Sequence, residues 1–163
     1  MKYLKEYFLY YLNKDKSAIV LVPEISLTPQ TVNRFTARFP DRIAVFHSAL
    51  SAGERYDQWK KMRRGEADIV VGARSAIFAP LKNVGIIIID EEHSDSYKSE
   101  QPPRYDAREV GEYGARMSNA VLVRASATPT FESFYAANNG GIKLLTLEHR
   151  ATNVVMPSVH VVD

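Results

Sequence analysis

Three carboxylates and a histidine stand in succession at Asp90, Glu91, Glu92 and His93, directly after an unbroken apolar run over residues 84–89. Five of the six residues in that run are β-branched. A run without polar alternation predicts a strand that is buried on both faces of a parallel sheet. Ligands of such sheets bind at the carboxyl ends of the strands, so Asp90 and Glu91 lie where chemistry is expected. Two adjacent acids there suit a magnesium ion and an activated water molecule.

Two other interpretations of the same four residues stay open at this point. The first is a solvated turn that performs no chemistry. The second is a small metal-dependent hydrolase in which Asp90, Glu91, Glu92 and His93 all bind one ion. Since adjacent side chains of an extended chain point to opposite sides, such a site requires a special turn. A metal titration distinguishes this hydrolase from the other interpretations.

The composition is that of an ordinary globular protein with one domain. The chain has 163 residues, of which 45% are hydrophobic and 25% charged, enough to bury a core. Cysteine is absent, which excludes a disulfide framework and a thiolate zinc site and fits a reducing cytoplasm. No apolar run is long enough to span a bilayer, so no membrane partner is expected. The net charge of +2 is too small to imply a nucleic-acid partner, and any basic patch must be local.

Strand and helix patterns alternate along the chain. Apolar runs predict strands over residues 17–22, 43–46, 68–72, 84–89, 120–123 and 142–147. Helix starts are predicted at Thr28 followed by Pro29, at Ser51 with Glu54, at Asp106 with Glu109, and near Thr130. This alternation predicts an α/β fold with a parallel sheet. It favours no particular function by itself.

The spacing of apolar residues also predicts which helix faces point inward. The predicted inner residues are Val32, Phe35 and Phe39, then Tyr56, Trp59 and Met62, then Val110, Tyr113 and Met117. Residues 1–13 form a further amphipathic helix pattern that has no capping residue at its start. Residues 94–105 are predicted to be irregular, and residues 159–162 to begin another element.

Four loops follow predicted strands and carry distinctive sequences. They are residues 23–30 (PEISLTPQ), 72–78 (GARSAIF), 90–93 (DEEH) and 126–129 (SATP). Taken together and in this order, they resemble the first motor domain of superfamily 2 helicases. The likeness is closest to the primosomal protein N-prime family of replication-restart DNA helicases, whose second motif is nearly identical to residues 21–30. Residues 46–51, 71–76 and 90–93 are similarly close to that family, and the resemblance covers almost the whole chain.

The resemblance implies a fold and a domain organisation. The fold would be α/β, a RecA-like P-loop NTPase-type parallel sheet with helices on both faces. Residues 1–150 would form part of the first motor domain. Residues 151–163 would be a tail that leads toward a second motor domain.

The resemblance also implies roles for the acidic loop and for the last of the four loops. Asp90 would hold magnesium through water, and Glu91 would orient or deprotonate the water that attacks the γ-phosphate. His93 would hydrogen-bond toward Ser126 and Thr128 and so link the phosphate site to the DNA-contacting loops. The alternatives are a purely structural histidine and, for Ser126 and Thr128, simple helix capping.

Two of the loops would face single-stranded DNA. The implied contacts are Pro23, Glu24, Thr28, Gly72, Arg74 and Ser75. Small side chains and free backbone amides let phosphates approach closely, and Arg74 adds a charge. The alternative for Arg74 is a surface salt bridge.

Residues 94–105 match the aromatic-rich segment that follows the acidic motif in these helicases. Tyr97 and Tyr105 would stack on bases while Lys98 and Arg104 meet phosphates. The alternative is that the two tyrosines only anchor the segment.

One departure from the helicase pattern changes what is expected of the chain. A phosphate-binding loop that ends in Gly-Lys-Ser/Thr is required to hold ATP, and no such motif occurs in the sequence. In the family that loop immediately precedes a segment matching residues 5–9 here. We therefore expect an N-terminally truncated fragment whose parent binds ATP and magnesium, whereas the fragment alone binds neither tightly and is inactive as an enzyme.

The parent's implied partners are single-stranded or forked DNA and other primosome and replication-restart proteins in the bacterial cytoplasm. The alternative function is a non-catalytic module that binds single-stranded DNA or docks a partner. Salt-sensitive binding of single-stranded DNA, weakened by Arg74→Ala and Tyr97→Ala, is what that alternative predicts.

Overall fold

One five-stranded sheet organises the protein, and the computed structural model describes residues 10–147. The strands in chain order are β1 (Ser17–Leu21), β2 (Ile43–Phe46), β3 (Ile69–Gly72), β4 (Val84–Ile89) and β5 (Val121–Arg124). Their spatial order is β2-β3-β1-β4-β5, and every adjacent pair is parallel. The predicted α/β fold with a parallel sheet is therefore confirmed.

Four α-helices connect or follow these strands. They are α1 (Pro29–Arg38), α2 (Ala52–Arg64), α3 (Ala107–Ser118) and α4 (Phe131–Asn138), together with short 3-10 helices at Glu24–Ser26, Arg74–Phe78 and Asp95–Tyr97. Each α-helix begins after a residue whose side chain accepts a hydrogen bond from a first-turn amide: Thr28, Ser51, Asp106 and Thr130. The helix starts predicted from capping patterns are confirmed, because these side chains satisfy amides that have no partner within the helix.

The core lies on both faces of the sheet. Alternate residues of β4 belong to different apolar clusters, with Ile87 and Ile89 in one and Ile86 and Ile88 in the other. All four side chains are at most 2% exposed. Each fully buried isoleucine contributes roughly 1.5–3 kcal/mol. The prediction that the run before the acidic residues is a strand buried on both faces is confirmed.

The inner face of α3 differs from the prediction. Tyr113 and Met117 are 68% and 71% exposed, whereas the buried residues of this helix are Ala107, Gly111 and Ala115. A Cβ atom at Gly111 would come 3.4 Å from the nearest side chain of the core, so the helix lies close to the sheet. Small residues, spaced four apart, permit this approach and turn the larger apolar residues outward.

Helix α2 buries less of its predicted stripe than expected. Met62 is fully buried, but Tyr56 is 59% exposed and stacks on Trp59 with 6.4 Å between the ring centroids. Because α2 follows β2, an edge strand, only a narrow side of the helix faces the core.

The predicted strand over residues 142–147 is wrong. These residues are irregular, and Ile142, Leu144, Leu145 and Leu147 are 43–65% exposed. An apolar segment becomes a strand only where a neighbouring strand supplies hydrogen bonds to its backbone. Within residues 10–147 no strand pairs with residues 142–147. Residues 10–12 are helical; the rest of the predicted first helix, the element at residues 159–162 and the proposed boundary at residue 150 lie outside the described residues. No helix within residues 10–147 is long and apolar enough to cross a bilayer.

Candidate functional site

The carboxyl ends of all five strands lie in register at one edge of the sheet. Leu21 is paired with Gly72 and Ile89, Gly72 with Phe46, and Ile89 with Arg124. The loops that follow these strand ends, together with Gly72 at the end of β3, include every residue for which the sequence suggested chemistry or DNA contact. This edge is therefore the candidate site.

The acidic loop begins as a continuation of β4 and then turns sharply. The amide of Asp90 still donates to the carbonyl oxygen of Leu21 over 2.9 Å, and its Oδ1 accepts from the amide of Glu91 at 3.2 Å. Glu91 has a φ of +47°, a left-handed conformation that is uncommon outside glycine and costs roughly 1–2 kcal/mol. The turn leaves the Glu91 side chain 45% exposed, open to solvent beside the half-buried Asp90.

His93 connects this loop to the turn after β5. Its Nδ1 lies 2.8 Å from the Oγ of Ser126 and 3.6 Å from Oε2 of Glu91. The Oγ of Ser126 also accepts from the amide of Thr128 at 2.9 Å. A continuous set of contacts therefore runs from Glu91 through His93 and Ser126 to Thr128. Its role in coupling remains a prediction.

Glu92 is the residue whose place the sequence did not indicate. It is 2% exposed, and its carboxylate accepts from the amide of Thr130 at 2.6 Å, from the Thr130 hydroxyl at 3.4 Å and from the Ser133 hydroxyl at 3.2 Å. The hypothesis of a hydrolase in which all four acidic-loop residues bind one metal ion is therefore wrong, because the Glu92 carboxylate is bound to Thr130 and Ser133. Across residues 10–147, no three histidine or acidic side chains are grouped to hold an ion.

Tyr97 anchors its segment and does not offer a face to a base. Its side chain is completely buried, and its hydroxyl donates to the carbonyl oxygen of Asp90 over 2.5 Å. Burial raises the pKa of this hydroxyl, the Asp90 and Glu91 carboxylates raise it further, and Arg108 opposes them. The prediction that Tyr97 stacks on bases is therefore wrong, and for this residue the alternative of an anchor is correct.

Arg74 holds two parts of the edge together. Its guanidinium donates to the carbonyl oxygen of Lys98 and, at 3.4 Å, to that of Ser96. The alternative of a surface salt bridge is wrong, because both acceptors are main-chain oxygens. An open cleft of about 380 Å³ lies here, lined by Arg74, Asp95, Ser96, Lys98, Glu100 and Gln101.

The other predicted contacts of residues 94–105 are accessible. Lys98 is 60% exposed and 3.4 Å from Asp95, and Arg104 is exposed with its Nε donating to the carbonyl oxygen of Glu100. Tyr105 is half-buried, and its ring meets that of Phe78 edge-on at 5.0 Å. Phe78 is 57% exposed. Sequence reasoning missed this aromatic, although it ends the second of the four loops.

The first loop presents polar side chains but buries Pro23. Pro23 is buried, so its ring is not available to DNA. Glu24 is exposed and accepts a hydrogen bond from the hydroxyl of Ser48. Thr28 caps α1 by accepting from the amide of Thr31 at 3.2 Å. Ile25, for which no role was predicted, is 90% exposed.

Gly72 serves the packing of the sheet and not an open phosphate site. It is buried, and a Cβ atom at this position would lie 2.1 Å from the carbonyl oxygen of Phe46. The amide of the next residue, Ala73, already donates to that oxygen at 3.1 Å. Gly72 is therefore removed from the candidate DNA contacts, whereas Ser75 is exposed and remains among them.

The family can be identified now that this geometry is known. Residues 4–136 match the family model of DEAD/DEAH box helicases, and the chain belongs to that family. It is 58% identical over 152 residues to replication restart protein PriA of Bacillus subtilis, an alignment that covers 93% of this chain and 19% of that protein. It is 46% identical over 157 residues to the PriA of a Synechocystis species, again covering 93% and 19%.

The similarity predicted from the four loops is therefore confirmed, and the chain spans about a fifth of the length of these relatives. Two solved structures also match part of the chain. The C-terminal domain of the DEAD-box protein Dbp5 has a TM-score of 0.47 and 15% identity, covering 78% of this chain and 72% of that one. The Pyrococcus furiosus Hef helicase domain has a TM-score of 0.47 and 14% identity, covering 83% and 27%.

Proposed function

We propose that this chain is part of the ATPase core of an ATP-dependent DNA helicase that acts in replication restart in the bacterial cytoplasm. The longer protein would hydrolyse ATP with magnesium and move along single-stranded or forked DNA, in company with other primosome and replication-restart proteins. Membership of the DEAD/DEAH box helicase family and 58% identity to a bacterial replication restart protein support this proposal.

One observation carries the proposal. The acidic loop is connected by hydrogen bonds to two other parts of the same sheet edge. Glu91, His93 and Ser126 lie in contact on one side, and Tyr97 binds the carbonyl oxygen of Asp90 on the other. A motor requires such connections, because the state of its nucleotide must alter the segments that hold DNA.

The residues at the edge suit the proposed chemistry. Asp90 offers one hard carboxylate at a strand end, and magnesium in phosphate-transfer sites is held through one or two carboxylates while keeping several waters. Asp90 would hold that ion through water, and the exposed Glu91 would orient or deprotonate the attacking water. The ion would neutralise charge on the phosphate oxygens.

The residues do not supply a complete triphosphate site. No Gly-Lys-Ser/Thr motif is present in the sequence, so the donors that cradle phosphates would come from elsewhere in the longer protein. We expect the isolated chain to show no measurable ATP hydrolysis with magnesium and DNA. In the longer protein, Glu91→Gln should abolish hydrolysis. The matched control is Glu66→Gln, because Glu66 is exposed and, within residues 10–147, its carboxylate pairs only with Arg64.

Single-stranded DNA would contact exposed and half-buried residues of this edge. The proposed set is Glu24, Thr28, Arg74, Ser75, Lys98, Arg104 and Tyr105. We expect the isolated chain to bind a single-stranded oligonucleotide weakly, with affinity that falls as salt increases. Lys98→Ala with Arg104→Ala should weaken binding and flatten the salt dependence, whereas Arg38→Ala, at the exposed far end of α1, should not.

The alternative of a non-catalytic module is favoured by one observation, the combination of exposed cations on residues 98–104 with the absent phosphate motif. The non-catalytic module would be supported if the longer protein bound DNA with salt-dependent affinity but did not hydrolyse ATP. Hydrolysis that disappears in Glu91→Gln excludes it.

A further inference from the structure

Glu92 is an acid placed where acids are rarely found. It is 2% exposed, and burying a carboxylate costs free energy unless donors replace its water. Three donors do so: the amide of Thr130 at 2.6 Å and the hydroxyls of Thr130 and Ser133 at 3.4 and 3.2 Å. All three belong to the start of α4, which follows the turn after β5.

The main chain of Glu92 is held as firmly as its side chain. Its amide donates to the carbonyl oxygen of Ala125 at 3.0 Å, and its own carbonyl oxygen accepts from Arg108 at 2.9 Å. Arg108 is in turn paired with Asp106 at the start of α3. One residue of the acidic loop therefore fixes the beginnings of two helices and the end of β5.

These contacts bracket the turn that His93 touches. Glu92 binds Ala125 before the turn and Thr130 after it. Between those two points lies Ser126, whose Oγ is 2.8 Å from His93. Glu92 therefore holds the chain on both sides of Ser126, although its carboxylate is hydrogen-bonded to neither Ser126 nor His93.

We infer that Glu92 is a positioning residue, which holds the turn at residues 125–130 so that Ser126 stays within hydrogen-bond reach of His93. Neighbouring acids would then have separate tasks, since Glu91 faces solvent and Glu92 faces the helix. The meaning of this inference for coupling rests on the proposed function, but the geometry does not.

The test is made on the 163-residue chain with ¹⁵N-labelled histidine. The imidazole nitrogen signals of His93, assigned with His93→Gln, report its tautomer and hydrogen bonding at one fixed pH. We expect Glu92→Ala to move the Nδ1 signal to the position seen in Ser126→Ala. Glu92→Gln should keep the wild-type signal, because an amide oxygen still accepts from Thr130 and the amide nitrogen donates to the hydroxyls.

A control separates positioning from general loss of stability. Ile88→Val weakens the buried β4 strand without touching the turn, and it should leave the His93 signal unchanged. If Glu92→Ala does not fold, the double variant Thr130→Val with Ser133→Ala removes both hydroxyl donors and should shift the signal in the same direction.

The inference is overturned if folded Glu92→Ala keeps the wild-type Nδ1 signal, or if Ile88→Val produces the same shift. Neither result depends on ATP hydrolysis, so failure of the proposed function and failure of this inference are distinguishable.

Discussion

His93 Nδ1 and Ser126 Oγ are 2.8 Å apart and separated by 33 residues of sequence. The contact joins the end of β4 to the turn that follows β5, and these strands are adjacent in the sheet. The Ser126 hydroxyl oxygen also accepts a hydrogen bond from the amide of Thr128. It is therefore held between the His93 side chain and the backbone. It is the point at which the acidic loop is connected to the next strand's loop.

In the proposed helicase, Ser126→Ala should slow ATP hydrolysis without weakening DNA binding. The variant removes the hydrogen bonds of Ser126 Oγ with His93 and with the Thr128 amide. Loss of the one that reaches His93 costs about 1 kcal/mol, which corresponds to roughly a five-fold lower rate at saturating DNA. The measurement is steady-state hydrolysis together with the Kd for an oligonucleotide. Ser118→Ala, at the exposed end of α3, is the control. An unchanged rate would show that the contact does not serve coupling.

Tyr97→Phe should destabilise the chain at neutral pH and reduce its sensitivity to alkali. The variant leaves the carbonyl oxygen of Asp90 without the Tyr97 hydroxyl, at a cost of about 1–3 kcal/mol. The pKa of Tyr97 is raised in the folded chain. In the unfolded chain its hydroxyl ionises near pH 10, whereas in the folded chain it stays protonated at that pH. The free energy of unfolding therefore falls above about pH 10. Phenylalanine removes this loss.

Urea unfolding at pH 7 and pH 11 measures both effects of Tyr97→Phe. Tyr113→Phe is the matched control because Tyr113 is 68% exposed, and its stability should follow the wild type. Equal alkaline loss in wild type and Tyr97→Phe would contradict the buried hydroxyl.

The sheet and the loop positions were predictable because they depend on local signals. Uninterrupted apolar runs marked β1 and β4, and capping residues such as Thr28 and Ser51 marked helix starts. The strand ends then gathered the loops at one edge, because parallel strands all end on the same side.

What could not be predicted depends on tertiary packing. The apolar face of α3 pointed to Tyr113, yet the close approach of the helix selected Gly111 and its small neighbours. Tyr97 and Glu92 looked like surface residues of polar segments. Their burial follows from the segments that fold over them, and no spacing in the sequence reports those segments.

Asp106→Asn should make stability less dependent on acid pH. Burial alone raises the pKa of Asp106, but hydrogen bonds and the charge of Arg108 outweigh it and lower that pKa overall. The carboxylate therefore stabilises the folded state above about pH 4, the ordinary value, and this contribution is lost as pH falls through the lower folded value.

Thermal unfolding between pH 2 and 7 tests the Asp106→Asn prediction. The variant should be less stable by about 1–3 kcal/mol at pH 7, because Arg108 loses its charged partner, and the difference should shrink below pH 4. Asp57→Asn, on exposed α2, should follow the wild type. A constant difference across the range would mean that the ion pair contributes no pH dependence.

Gly72→Ala should strongly destabilise the sheet, because its Cβ atom would lie 2.1 Å from the carbonyl oxygen of Phe46 and 2.6 Å from the Cβ of Ala76. The first contact is with the backbone of a neighbouring strand, which must move for the methyl group to fit, and overpacking of this kind costs typically 1–3 kcal/mol or more.

Gly53→Ala is the matched control, since Gly53 lies in α2 with no atom within 4 Å of its added Cβ, and alanine in a helix is favoured by up to about 1 kcal/mol. Chemical unfolding of both variants should therefore give changes of opposite sign. Equal stability of Gly72→Ala and wild type would show that β2 and β3 are not packed as closely as described, and would return Gly72 to the candidate DNA contacts.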